Sequence, residues 1–225
     1  MAKETKETPT GIEALNENLT AIEQKVEKNQ KFIAWCCIGA AAVVCLVLAY
    51  IFFIHKPGVT AADNAIGQAD MTLAQGNDSL ALVQYKQVAD EYGHDAGNRA
   101  KLNAAILLYQ KKQWQEAIDY LNGYDASESV IGASSMALKG DCYVNLKNYD
   151  EALSCFEKAV KISDDNPAYT PYFLMKEANV YREQKKYAEE AAVYQSIIDN
   201  YPNYGPSINV DMKKYLERAK AQAGE

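Results

Sequence analysis

The sequence predicts an all-α protein: one membrane-spanning helix near the N-terminus, a solenoid of about four helix hairpins, and a C-terminal capping helix. Residues 32–54 carry no formal charge and are numerous enough to span a bilayer. After this run, a unit of 34 residues recurs along the chain, which lacks the alternating pattern of strands. We divide the chain into five segments: an amphipathic N-terminal segment (1–31), the transmembrane helix (32–54), a linker (55–61), the repeats (62–205), and a solvating helix with a tail (206–225).

The apolar run has the character of an uncleaved membrane anchor. As a helix it would extend about 34 Å, which exceeds the roughly 30 Å hydrocarbon core of a bilayer. A cleaved signal peptide would have a shorter apolar core nearer the N-terminus, whereas here a long polar segment comes first. Lys25, Lys28 and Lys31 lie before the run and Lys56 after it, so we expect the N-terminus in the cytoplasm. The sequence thus predicts a single-pass protein of the bacterial inner membrane with a periplasmic C-terminal domain.

Two features of the N-terminal part offer contacts with another helix. Four small residues form one stripe along the predicted anchor: Cys37, Ala41, Cys45 and Ala49. Such a stripe lets a second helix approach closely, although chance could produce it among so many small residues. Before the anchor, apolar residues recur with heptad spacing between positions 12 and 26. This heptad pattern either joins two copies of the chain as a homo-oligomer or belongs to a solvated helical extension.

Composition argues against catalysis and nucleic-acid binding. Lys+Arg 23 against Asp+Glu 30 give a formal net charge of −7, which disfavours contact with a phosphate backbone. The two histidines lie far apart, and we find no nucleophile–base pair, phosphate-binding glycine loop or metal-ligand spacing. We therefore expect no catalytic residue, no metal and no cofactor. Outside the anchor, Cys142 and Cys155 could form a disulfide in an oxidising compartment, but packing as small apolar side chains is the favoured interpretation.

The clearest repeat covers residues 133–166. Six of its positions follow a pattern of small and bulky side chains: Gly140, Tyr143, Tyr149, Ala152, Phe156 and Ala159, at positions 8, 11, 17, 20, 24 and 27. Small residues at positions 8 and 20 allow the two helices of a hairpin to cross closely, while the rings fill the flanking space. The same frame recurs, with departures, in three more segments: 62–95, 98–131 and 171–204. One departure is Glu190, which stands at position 20 of the last repeat.

These spacings resemble the tetratricopeptide repeat, and the resemblance covers about residues 62–222. It implies an α-solenoid that binds proteins along a concave face, formed by positions 2, 5, 9 and 12 of each first helix. The candidate binding residues that we assign to this face are Arg99, Leu102, Ile106, Tyr109, Ala137, Asp141, Tyr172, Lys176, Asn179 and Arg182, of which Lys176 stands at position 6 and the others at the four face-forming positions.

Two modes of binding follow from this resemblance. Some family members grip a terminal carboxylate with Lys and Asn residues from several repeats, but here Lys176, Asn179 and Arg182 all belong to one repeat. An apolar partner segment, such as a helix or an unfolded stretch, better suits the middle of the face, which contains Leu102, Ile106, Tyr109 and Ala137. Alternatively, the first repeat covers some of these residues.

The overall layout also resembles the single-pass ancillary subunits of the bacterial Sec translocon. That resemblance implies a membrane-anchored adaptor whose partners are Sec translocon subunits, periplasmic chaperones or client chains that have crossed the membrane. The alternative is a structural scaffold for cell-envelope assembly or division, which would join folded proteins and hold no client chain. Neither the adaptor nor the scaffold hypothesis requires a catalytic group.

Overall fold

The structure, a computed structural model, describes residues 30–126 and 129–224, apart from the side chain of Ile33. The heptad pattern between positions 12 and 26 lies outside the described residues. The chain divides into two units, with the boundary between Gly58 and Val59.

The described part of the N-terminal unit, from residue 30 onward, is an apolar helix. Helix α1 (Gln30–Tyr50) continues into a π-helical turn (Ile51–His55). Within the helical run Gln30–Ala74, one window is long and apolar enough to cross a membrane, a criterion that a signal sequence would also meet. Near the end of this unit the Nζ of Lys56 lies 4.4 Å from the ring centroid of Phe52. The predicted apolar helix is therefore present.

The second unit consists of helices, and its described residues contain no strand. Four antiparallel hairpins and a terminal helix follow one another along the chain: α2 (Lys56–Ala74), α3 (Asp78–Glu91), α4 (His94–Gln110), α5 (Trp114–Asn122), α6 (Ser129–Asn145), α7 (Tyr149–Ile162), α8 (Thr170–Glu183), α9 (Tyr187–Asn200), the single turn α10 (Tyr204–Ser207) and α11 (Met212–Ala223). From α3 onward, each long helix packs against the next. This is the all-α helical array that the sequence predicts.

Residues 55–61, the expected linker, contain the boundary between the two units and are helical. His55 ends the π-helical turn, and α2 begins at Lys56. Pro57 follows this turn directly, where the backbone hydrogen bonds already depart from the α-helical pattern.

The turn inside each hairpin has the same backbone geometry in all four repeats. Position 15 of each repeat has a positive φ, with 79° at Gly76, 61° at Lys112, 62° at Lys147 and 58° at Lys185. At each of these positions the backbone N–H donates to the carbonyl three residues earlier over 2.9 Å. The next N–H reaches back five residues, which completes a Schellman motif. Four identical turns at one position show that the four repeats share one register.

The small residues of the repeat lie in its core. Ala81, Ala117 and Ala152, each at position 20, have no solvent exposure. At position 8 of the third repeat, a Cβ atom added to Gly140 would lie 2.5 Å from the Phe156 ring. Gly140 therefore makes room for the ring at position 24 of the same hairpin, so the close helix crossing depends on its missing side chain.

The last repeat departs from this pattern. Glu190 occupies position 20, where the other repeats have alanine, and it is fully buried. Its Oε1 accepts a hydrogen bond of 2.8 Å from Nη2 of Arg218 on α11. The expected solvating helix is therefore tied to α9 by a specific ion pair, in addition to the apolar contacts of Met212, Leu216 and Ala219.

Cys142 and Cys155 are both buried and carry free thiols. Burial, together with the nearby Asp141 carboxylate and the second thiol, raises the pKa of Cys142 to about 12. Burial also raises the pKa of Cys155. Both side chains pack as small apolar groups, which is the interpretation that the sequence favoured.

Candidate protein-binding surface

The first helices of the second, third and fourth repeats carry the ten candidate residues. Arg99, Ile106 and Tyr172 are exposed, and Ala137 is buried. The remaining six are partly buried: Leu102, Tyr109, Asp141, Lys176, Asn179 and Arg182. Leu102 and Tyr109 also pack against the core of the first two repeats. The exposed apolar surface at the middle of the face is therefore smaller than the sequence suggested.

Two adjoining cavities bring most of the candidates of the third and fourth repeats together. Ala137, Asp141, Tyr172 and Lys176 line a cavity of about 230 Å³ between α6 and α8. Asp141 and Lys176 also line a second cavity of about 470 Å³, which includes Asn179 and Arg182. Arg99, Leu102 and Ile106 line neither cavity. The structure thus groups six of the ten candidates around one charged pair.

That pair joins the third repeat to the fourth. The Nζ of Lys176 donates to both carboxylate oxygens of Asp141 over 2.8 Å. The same Nζ lies 5.0 Å from the ring centroid of Tyr172 and 5.9 Å from that of Phe156. Partial burial strengthens such a contact because water screens it less.

Protonation of the pair follows from its surroundings. Burial by itself lowers the pKa of Lys176, but the Asp141 charge and its hydrogen bonds outweigh burial, so the lysine pKa is raised. Burial also raises the pKa of Asp141, against the opposing effect of Lys176. Since the lysine pKa is raised above 10.5, Lys176 is charged at neutral pH. Both carboxylate oxygens of Asp141 already accept hydrogen bonds from it.

A second ion pair joins the first repeat to the second. Arg99 donates to Asp70 over 2.8 Å, and the Tyr85 hydroxyl donates to the other oxygen of Asp70 over 2.6 Å. Asp70 and Asp141 both stand at position 9 of their repeats, and each pairs with a cation from the following repeat. Three of these four charges stand at face-forming positions of their repeats and Lys176 stands at position 6, but the sequence does not show that they neutralise one another.

The structure adds lining residues that the candidate set lacks. Ser134, Leu138 and Phe173 line the smaller cavity, and Asn145 lines the larger one. Position 2 of the third repeat is Ser134, so the face-forming pattern already contained it. Leu138 and Phe173 stand at core positions, and only the packing of α6 against α8 reveals their contribution.

The remaining sequence expectations concern the anchor and metal binding. Cys37, Ala41, Cys45 and Ala49 are all exposed on α1. Within residues 30–126 and 129–224 there is no group of three or more His, Cys, Asp or Glu side chains that could hold a metal ion.

The hairpins, their common turn and the paired concave face define an α-solenoid repeat protein. Tetratricopeptide repeat models match residues 66–130, 133–166 and 172–204, which together make up more than half of the chain. The chain belongs to the tetratricopeptide repeat family, and this membership implies that it interacts with other proteins. The match at 133–166 has the same bounds as the third repeat predicted from the sequence.

One curated relative is Tetratricopeptide repeat protein 21B of Mus musculus, which is 29% identical over 96 residues. The aligned part is 42% of this chain but 7% of that protein, so the relative is much longer.

Solved structures show the same fold at low sequence identity. The MamA protein has a TM-score of 0.58 at 14% identity, with 72% of this chain and 82% of that chain covered. A tetratricopeptide repeat protein from Parabacteroides merdae has a TM-score of 0.56 at 14% identity, covering 90% of this chain and 73% of its own. For pilF of Pseudomonas aeruginosa the TM-score is 0.51 at 14% identity, with 89% of each chain covered. These similarities concern the fold alone.

Proposed function

We propose that this protein is a membrane-anchored periplasmic adaptor that binds other proteins on the concave face of its repeats, at the Sec translocon. There it would assist the transfer of translocated chains to periplasmic chaperones. The observation that carries the proposal is the presence, in one chain, of an apolar helix long enough to cross a membrane and a tetratricopeptide repeat array. The protein would act by binding, without catalysing a reaction.

The charges on the concave face favour an apolar partner segment. Lys176 is one of the residues that could bind a terminal carboxylate of a partner. Its Nζ already donates to both carboxylate oxygens of Asp141. Ile106 and Tyr172 remain exposed on this face, at 38% and 46%. An uncharged segment could cover these side chains without breaking either ion pair, whereas an acidic segment would compete with Asp141 for its lysine.

The anchor would make weak binding sufficient. A chain held in the membrane meets partners in the same membrane at a raised effective concentration, so each contact need not be strong. The layout of a short cytoplasmic start, one anchor and a periplasmic repeat array resembles that of YfgM, an ancillary subunit of the Sec translocon. This resemblance supports the choice of Sec subunits, chaperones and client chains as partners.

Crosslinking of the full-length chain in intact membranes, followed by identification of the attached proteins, tests the partners. We expect Sec subunits and periplasmic folding factors among them. Components of the envelope assembly or division machinery, recovered without Sec subunits, would instead establish a structural scaffold with no client chain.

A pair of substitutions tests the surface. Ile106→Asp places a charge on the concave face and should reduce crosslinking severalfold, because desolvating a carboxylate in an apolar contact is costly. Val83→Asp is the matched control, since Val83 is 61% exposed on α3, a second helix of its hairpin. Equal crosslinking by the two variants would place the binding surface elsewhere.

The membrane topology is tested separately by proteolysis of intact and permeabilised cells. In spheroplasts, an added protease should remove the C-terminal repeats and spare the N-terminal segment. If the repeats are cleaved only after the inner membrane is opened, they lie in the cytoplasm and the periplasmic role fails.

A further inference from the structure

An acidic side chain is buried where the fourth repeat meets the third. Glu177 stands on α8, at position 7 of the fourth repeat, and is 8% exposed. One turn away on either side, Phe173 and Val180 are each 1% exposed and belong to the core cluster of the third repeat. The row formed by Phe173, Glu177 and Val180 is therefore the surface that α8 presents to the third repeat. We call the contact along this row the seam.

The same position differs in the other repeats. Gln68 is exposed, Ala104 is fully buried and Lys139 is partly buried. Of these three residues only Ala104 is fully buried, and its side chain is small and apolar. A buried carboxyl at Glu177 is a departure from the packing rule of the array, and it requires a physical explanation.

The charged groups around Glu177 do not neutralise it. From α7, the exposed Glu157 raises the pKa of Glu177, and burial does so to a greater extent. Within α8, the neighbouring Lys176 is committed to Asp141 of α6. From α9, Glu189 acts on Tyr181, a residue that also experiences the charges of Glu177 and Glu157. The groups that act on this part of the seam are therefore acids and a phenol.

An ionised Glu157 repels a negative charge on Glu177. With Glu177 protonated, the group is neutral and can remain between the two repeats. When Glu177 ionises, it becomes a buried charge that the exposed Glu157 carboxylate repels. We propose that the seam between the third and fourth repeats is a proton-responsive joint, in which protonation of Glu177 holds the repeats together and its ionisation beside Glu157 loosens them.

The direction of the pH effect follows from linkage. Burial first, and then the Glu157 charge, raise the pKa of Glu177 from 4.5 to about 7 in the folded chain. In that interval the folded chain holds a proton that the unfolded chain has lost. The contribution to stability is therefore fully present below pH 4.5, and it is lost as the pH rises to about 7.

The joint has a consequence for the concave face. Lys176 precedes Glu177 in α8, and its pair with Asp141 crosses the same seam. Loosening of the seam would alter the two cavities around that pair, so partner binding would weaken with rising pH. This consequence rests on the proposed function, whereas the joint itself does not.

Hydrogen exchange of the full-length chain in detergent micelles tests the joint without a partner. Amide protection factors in α8 and α9 should fall roughly tenfold to a hundredfold between pH 5 and pH 7.5 and then level off, which corresponds to most of the shift in pKa. Glu177→Gln should make these factors independent of pH over this range. Glu151→Gln, at an exposed position of α7, is the matched control and should retain the wild-type dependence.

A second measurement does not depend on any variant. In the wild-type chain, the side-chain carboxyl carbon of Glu177 should titrate by NMR with a midpoint near 7. In the Glu157→Gln variant the midpoint should move to a lower pH, because one like charge is removed. A midpoint below pH 5.5 in the wild-type chain, or an unchanged pH dependence of protection in Glu177→Gln, would overturn the proposal.

Discussion

Glu190 of α9 and Arg218 of α11 form an ion pair of 2.8 Å in which the acid is fully buried and the arginine side chain is 39% exposed. The guanidinium also lies 5.0 Å from the ring centroid of Tyr215. The other three repeats have alanine at the position of Glu190. Only the fourth repeat, which α11 follows, has an acid there, and it pairs with α11. The pair makes α11 a specific partner of the fourth repeat as well as a polar cover for its apolar face.

Removal of the arginine should therefore be costly. Arg218→Ala leaves a buried carboxylate without its cation, and we expect the free energy of unfolding to fall by about 3 kcal/mol. Urea unfolding followed by circular dichroism measures the loss. The double variant Glu190→Ala, Arg218→Ala should lose less than Arg218→Ala, since it recreates the alanine of the other repeats. A double variant less stable than Arg218→Ala would contradict this account, because the unpaired carboxylate would then not be the main cost.

Two glycines should respond to alanine in opposite directions. Gly140→Ala should lower the free energy of unfolding by about 1–3 kcal/mol, because the new methyl group would lie 2.5 Å from the buried Phe156 ring. Gly67→Ala should raise it by about 1 kcal/mol, because the space around that Cβ is open and alanine favours the helix. Urea unfolding compares the two. A stabilising Gly140→Ala would mean that α6 and α7 are not packed as closely as the structure shows.

The hairpin turns give a third test. Lys147 has φ of 62°, a conformation that costs a residue with a Cβ about 1 kcal/mol more than glycine. Lys147→Gly should therefore stabilise the chain by up to about 1 kcal/mol, less the entropy that glycine adds to the unfolded state. The same replacement inside α7, Lys158→Gly, should destabilise it by about 1 kcal/mol, because glycine there disfavours the helix. Melting curves of the two variants would show shifts of opposite sign.

Thiol reactivity tests the packing of the third repeat. Cys142 and Cys155 should react with a maleimide at pH 8 only as fast as the repeat opens, because both are buried and the pKa of each is raised. Ser154→Cys introduces an exposed thiol on the same helix as Cys155 and should react within the mixing time. Mass spectrometry distinguishes the sites. Rapid labelling of Cys142 in the folded chain would contradict its burial.

Much of the fold could be predicted because its determinants are local and periodic. An uncharged run can form a long apolar helix whatever its neighbours are, and the repeated small and bulky residues specify a hairpin four times over. Gly140 and Ala152 illustrate this, since both lie in the core as their repeat positions require. The helical conformation of residues 56–61 was not predicted, because Pro57 and Gly58 disfavour a continuous helix and only the structure shows the π-helical turn that precedes them.

The candidate surface was predicted less completely. Asp141 stands at the face-forming position 9 of its repeat and Lys176 at position 6 of the next, and the distance between residues of different repeats depends on how those repeats pack. The sequence alone therefore left Lys176 as a free cation. It also left Glu190 as a local irregularity, although the residue that balances it lies 28 positions further along the chain.

The sequence by itself determined that this protein joins a long apolar helix to a tetratricopeptide repeat array, since apolar length and repeat spacing are properties of consecutive residues. Only the tertiary structure decided which charges are satisfied: Lys176 and Arg218 have buried or half-buried acidic partners, and Glu177 has another acid as its neighbour. The physical reason is that the energy of a charge depends on its solvent exposure and on groups a few ångströms away, which come from different repeats.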